Sequence, residues 1–223
     1  FRRLTDGTNW SVNLLRVDEK RGEVYFTAKR DATVRQALYK VDAKGVVTAL
    51  TDPAYHVTGV KFSPDGKYFA ASYSNVTTPT QVAVFPTSGK NLCKGSLVAD
   101  MKGPEYDPRK YALGELVYMT TEDGFKLPGM IVYPKDFDPS KKYPVIVYVY
   151  GGPHSQMVKN TYMAELRRWE MYMAQRGYLV YVQDNRGTQN RGAEFEKAIH
   201  GQCGQAEMAD QMEGIKMLME LPY

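Results

Sequence analysis

A period constrains this chain more than any other feature. Leu4-Thr5-Asp6 returns as Leu50-Thr51-Asp52, 46 residues on, and Leu97-Val98-Ala99-Asp100 closes a second unit, with Asp100 lying 48 residues after Asp52. Equivalent pieces lie between these marks: VDEKRGEVYFT at 17–27 and FSPDGKYFAAS at 62–72. In each, a turn dipeptide, Arg21-Gly22 or Asp65-Gly66, is flanked by β-branched and aromatic residues, which is a hairpin signal. Each unit therefore holds about four short strands, and four-stranded meanders repeating every 40 to 50 residues or so are the mark of propeller blades. Two blades do not close a ring, which takes about four, so the expectation is a partial β-propeller whose other blades come from elsewhere. Two unrelated antiparallel sheets are the competing reading. Tyr25, Phe26, Tyr68 and Phe69 are expected in the core under both.

From Gly103 the pattern changes. The stretch 103–108 (GPEYDP) reads as a linker and the repeat does not return, which divides the chain into residues 1–102, two blades, and 103–223, a second domain. There, 115–121, 127–133, the dense apolar run 143–150, and 178–183 read as strands. Residues 162–176 space Met163, Leu166, Trp169, Met173 and Ala174 by three or four, the apolar face of a helix ending at Gly177. A second helix over 205–221 carries Met208, Met212, Ile215, Leu218 and Met219 as its apolar stripe, with Pro222 after it. The methionines of both helices are expected to fill core. Strands alternating with helices around a run apolar on both faces describe the opening of an α/β sheet. Because the pattern stops on a helix where a strand is due, and starts on Phe1, the sequence is expected to be part of a longer protein.

Composition narrows the classes. At 223 residues, and about 150 per domain, one large or two modest domains are expected. With 43% apolar and 24% charged residues the chain has the composition of a globular protein, which excludes disorder and coiled coil. The longest apolar stretch, 145–150, is far short of the roughly 20 residues that cross a bilayer. A net charge of +4 is spread among acidic residues with no basic run longer than pairs such as Lys141-Lys142, so no nucleic-acid partner is expected. Cys93 and Cys203 fall in different domains and make no disulfide framework.

In open α/β sheets, sites collect beyond the carboxyl ends of the strands. The run ending at Tyr150 leads into Gly151-Gly152-Pro153-His154-Ser155-Gln156, where two glycines permit a sharp turn and close approach to a ligand. In α/β-hydrolases an oxyanion-hole donor comes from the loop between the third strand and the first helix, the place this loop occupies. A phenol there donates a hydrogen bond to a developing oxyanion, worth about 3 kcal/mol in the transition state. Tyr150 is thus the leading functional side chain, against the plainer alternative of a strand-end tyrosine with its hydroxyl in water. His154 and Ser155 are neighbours, but adjacent loop residues rarely have base-to-nucleophile geometry, and no G-x-S-x-G surrounds any serine of the sequence. His200 and Cys203 are two ligands without a second pair, a poor zinc site, and read as loop; no metal is expected. Asp184, in the second strand-end sequence, is either a general acid or base or, more in keeping with a nearby arginine, half of an ion pair with Arg186 around a tight turn.

Together, VIVYVYGGPHSQ at 145–156, DNRGTQNRG at 184–192 and EMADQMEGIK at 207–216, behind two blade-like repeats, resemble the dipeptidyl peptidase IV branch of the prolyl oligopeptidase family. A bacterial dipeptidyl peptidase IV and a prolyl tripeptidyl peptidase fit equally. The resemblance implies a propeller joined to an α/β-hydrolase domain with a Ser, Asp, His triad, acting on peptides with a penultimate proline. It maps the oxyanion-stabilising tyrosine onto Tyr150. It also implies a homodimer, a periplasmic or cell-envelope location and no cofactor. The nucleophile elbow, the triad Asp and His and the acidic pair that anchors the substrate amine are expected outside these residues, so that the chain alone is inactive and no substrate-binding residue is assigned within it. Two alternatives stay open: a non-catalytic propeller-based binding protein with a degenerate hydrolase domain, and an acylaminoacyl peptidase or prolyl endopeptidase of the same superfamily.

Overall fold

Glycine-closed hairpins build the first unit. The structure, a computed structural model, describes residues 2–6, 10–165 and 168–223. Contacts divide the chain into Phe1–Pro104 with Asn160–Tyr162, and Glu105–Lys159 with Met163–Tyr223. In the first unit β1 (Trp10–Asp18), β2 (Glu23–Lys29), β3 (Ala37–Asp42) and β4 (Val47–Ala49) form one antiparallel sheet in chain order. Strands β5 (His56–Phe62), β6 (Tyr68–Ser74), β7 (Gln81–Pro86) and β8 (Ser96–Asp100) form the next. These are the two four-stranded blades that the period predicts. Gly22 and Gly66 sit at φ +64° and +67° in the two predicted turns, a left-handed conformation that costs glycine little.

Strand β2 is buried on both faces. Tyr25 joins Leu38, Leu50, Val57, Phe69 and Phe85 in a cluster drawn from both sheets, while Phe26 packs with Ala28, Tyr39 and Val41 on the other side. Phe69 is buried and Tyr68 is exposed. The expectation of both in the core fails because successive strand residues point to opposite faces and only one face of β6 meets this core. Asn160 is tied into the same unit, its N–H donating to the Val34 carbonyl at 2.8 Å and its Oδ1 accepting from the Val76 N–H at 3.3 Å.

In the second unit, β9 (Gly114–Thr120), β10 (Lys126–Val132), β11 (Val145–Tyr148), α1 (Arg168–Gln175), β12 (Leu179–Gln183), α2 (Ala193–Lys197) and α3 (Ala206–Met219) follow one another. The sheet order is β11-β12-β10-β9, with β11 and β12 parallel and the other pairs antiparallel. The parallel pair is joined by way of α1, the crossover an α/β sheet requires.

Three expectations are corrected here. The apolar run around β11 is not the strand buried on both faces: β11 stands at the edge, with Val145 exposed and the rest half-buried, and β12 is the strand buried throughout. Among the described residues no strand pairs with the free side of β11. The helix expected over 162–176 is regular only from Arg168, because Met163 takes φ +56° and Tyr162–Glu165 form a 3₁₀ turn; Leu166 of the expected stripe lies outside the described residues. On α3 the buried residues are Asp210, Gln211, Gly214 and Leu218, whereas Met208, Met212 and Met219 are exposed. Polar groups turn inward on this helix because each finds a hydrogen-bond partner at the end of β12.

Candidate functional site

Beyond β11 the chain runs through Val149 and Tyr150 into a tight turn. Gly151 has φ +72°, and a Cβ there would lie 3.4 Å from both Asn185 Oδ1 and Val149 Cγ1, so the position suits glycine on two counts. The Tyr150 ring lies over Gly152, where a Cβ would come 3.5 Å from Tyr150 Cε1. Tyr150 is 54% exposed, and among the described residues its hydroxyl has no hydrogen-bond partner. The phenol is neither sealed into hydrocarbon nor tied down by a neighbour.

The rest of the loop is held from the end of β12. Asp184 is buried, and its two carboxylate oxygens accept from the N–H groups of Met157 at 2.8 Å and Val158 at 2.9 Å. The ion pair expected between Asp184 and Arg186 is replaced by this grip on the backbone. Arg186 turns to Asp210 instead: its backbone N–H donates to Oδ2 at 2.7 Å and its Nε to Oδ1 at 3.0 Å, while Nη1 reaches Asp123. The guanidinium carbon stands 4.8 Å from the centre of the Phe125 ring, and the hydrogen bond to Asp210 is the largest of the effects that raise the arginine pKa. The carboxylate of Asp210 is wholly buried, so this fork is a charge-assisted clamp in low dielectric.

Asn185 lies between the two loops. Fully buried, it donates from Nδ2 to the Gly151 carbonyl at 3.0 Å and to the Arg186 carbonyl at 2.6 Å, and its Oδ1 accepts from Gln211 Nε2 at 2.9 Å. Farther along, Gln156 donates to the Val158 carbonyl and accepts from Asn190 Nδ2 at 3.0 Å. Asp210 and Gln211 reach these loops because α3 approaches β12 at Gly214, where any Cβ would collide with the Gln183 carboxamide.

Of the other residues weighed from sequence, Ser155 directs its hydroxyl to the Met157 thioether at 3.5 Å, and no His154–Ser155 hydrogen bond forms among the described residues. His200 and Cys203 are exposed, the Cys203 thiol contacts the Ile199 carbonyl, and no group of three metal-binding side chains occurs among the described residues. Sequence reasoning does not single out Asn185, Arg186, Asp210 or Gln211 as site residues. Their only sequence signal is the pair of stretches DNRG and DQ, whose partnership spans about 25 residues.

Comparison with known proteins places two family models on the chain. One, the dipeptidyl peptidase IV N-terminal region, matches residues 2–80, and the other, the prolyl oligopeptidase family, matches residues 164–223. Human dipeptidyl peptidase 8 is 36% identical over 214 residues, covering 92% of this chain and 23% of that protein. Its mouse counterpart is 34% identical over 211 residues, with 91% and 23% covered. The crystal structure of Porphyromonas gingivalis dipeptidyl peptidase 4 superposes with a TM-score of 0.82 at 35% identity, over all of this chain and 31% of that one. The chain thus spans about a quarter of the length of the curated relatives it matches.

Proposed function

From a chain that belongs to the dipeptidyl peptidase IV branch of the prolyl oligopeptidase family, we infer a part of a serine-type dipeptidyl peptidase in which Tyr150 stabilises the oxyanion. The observation that carries this reading is the Tyr150 phenol, exposed beyond the carboxyl end of β11 and unpartnered among the described residues, beside a tight turn at Gly151. The family supplies the reaction class; the geometry supports the role of the residue.

In the reaction proposed, a serine elsewhere in the full-length protein adds through Oγ to the scissile carbonyl carbon while a histidine takes its proton. The carbonyl oxygen becomes an oxyanion and accepts a hydrogen bond from the Tyr150 hydroxyl. Collapse of the tetrahedral species breaks the peptide C–N bond, and the histidine returns the proton to the departing amine. Water then repeats the sequence on the acyl-enzyme and frees an N-terminal dipeptide ending in proline. One such donor contributes about 3 kcal/mol to the transition state, or roughly a hundredfold in rate.

Chromogenic peptides test the reading. The full-length protein should release p-nitroaniline from Xaa-Pro-p-nitroanilide with a free N-terminus, do so far more slowly when the amine is acetylated, and react with a fluorophosphonate. The 223-residue chain alone should do neither. Equal turnover of blocked and free substrates contradicts the exopeptidase assignment in favour of an endopeptidase or acylaminoacyl peptidase; no turnover and no labelling contradict enzyme activity and favour a binding protein.

A further inference from the structure

We propose that Asn185 is the positioning residue for the Tyr150 hydroxyl, an inference that rests on the role given to Tyr150 above. The tyrosine side chain does not fix its own place. It is 54% exposed, its hydroxyl is unpartnered among the described residues, and its ring passes beside Gly152, 3.5 Å from where a Cβ would stand. Its direction is therefore set by the main chain that follows it, and that main chain takes φ +72° at Gly151.

One buried side chain holds the Gly151 peptide in that conformation. Asn185 Nδ2 donates to the Gly151 carbonyl at 3.0 Å, and the carboxamide is itself oriented by Gln211 Nε2 on Oδ1 at 2.9 Å. The peptide that carries Asn185 is anchored on its other side, since both the Arg186 N–H and its guanidinium are taken by the buried carboxylate of Asp210. Asp210 and Gln211 are adjacent on α3. A chain of bonds thus runs from α3 through Asn185 to the carbonyl next to the phenol, and every link belongs to the second unit.

Removing the carboxamide leaves the Gly151 carbonyl without this donor and frees the turn to relax. A shift of about 1 Å at a catalytic group costs up to about a hundredfold in rate, and a hydroxyl that still samples its proper place should lose less, about tenfold.

A double-mutant cycle in the full-length protein tests this. Tyr150→Phe should lower kcat about a hundredfold, and Asn185→Ala should lower it about tenfold with KM changed less than about twofold. In the Tyr150→Phe background, Asn185→Ala should change kcat by less than about twofold, because there is no hydroxyl left to misplace. A similar loss in both backgrounds, or an unchanged kcat in Asn185→Ala, overturns the positioning role while leaving the role of Tyr150 intact. An unchanged kcat in Tyr150→Phe overturns both. Should Asn185→Ala fail to fold, Gln211→Met, which removes the donor to Asn185 Oδ1 at similar volume, runs through the same cycle with an expected loss of about threefold. The same non-additivity supports the inference there, and additivity overturns it.

Discussion

Replacing Gly214 by alanine sets helix propensity against packing in the middle of α3. Propensity alone favours alanine over glycine in a helix interior by about 1 kcal/mol. The structure opposes it: a Cβ at 214 collides with Gln183 Oε1 and comes within 2.9 Å of the Tyr181 hydroxyl. Gln183 cannot swing aside freely, because its Oε1 accepts from the Tyr181 hydroxyl at 2.7 Å and its Nε2 donates to the Asp210 carbonyl at 2.8 Å, with both side chains buried. Moving it strands two polar groups at about 1 to 3 kcal/mol each; moving the helix instead costs a similar 1 to 3 kcal/mol or so of overpacking strain. The cheaper route sets the cost, and after the gain in propensity the balance is a destabilisation of about 1 kcal/mol, which for a protein of this size lowers Tm by about 2 to 4 °C. Thermal unfolding followed by circular dichroism measures it. A Tm equal to or above that of the unmutated protein refutes the reasoning, since propensity would then have won.

Other expectations follow from the same buried network. Asp210→Asn keeps the shape of the clamp but removes its charge, leaving Asp123 as the remaining carboxylate on the partly exposed Arg186, and should cost about 2 kcal/mol in a urea titration. Asp184→Asn replaces one of two acceptors by an amide donor opposite the N–H of Met157 or Val158, and should cost about 2 kcal/mol by the same measurement. The two thiols should alkylate at different rates at pH 8: Cys203 is exposed and fast, whereas burial, helped by the charge of Asp52, pushes the Cys93 thiol up and keeps its reactive thiolate scarce. Equal rates would contradict that assignment.

The legible parts of this molecule are those encoded locally. The blades are readable because each turn glycine and each alternation lies within a dozen residues, and the hairpins at Gly22 and Gly66 form where the dipeptides predict. The exposed place of Tyr150 and the tight turn at Gly151 are readable for a similar reason, two glycines after an apolar run. What escaped depends on partners distant in sequence. An apolar strand such as β11 records that something covers it, not which strand pairs with it, so its place at the sheet edge was invisible. Periodicity misplaces the stripe on α3 because it counts apolarity: it cannot see that Asp210 and Gln211 become acceptable inside once Arg186 and Asn185, some 25 residues earlier, meet them. Met163 shows the remaining limit, a residue with helical spacing whose backbone takes a left-handed turn.

The role proposed for Tyr150 requires its hydroxyl to face the substrate carbonyl oxygen when that carbonyl is under attack. A crystal structure of the full-length protein carrying a peptide boronate, whose tetrahedral oxygen mimics the oxyanion, measures this directly. The Tyr150 oxygen should lie about 2.7 to 3.1 Å from that boronate oxygen. A phenol turned away from the adduct, with the oxygen held by other donors, contradicts it.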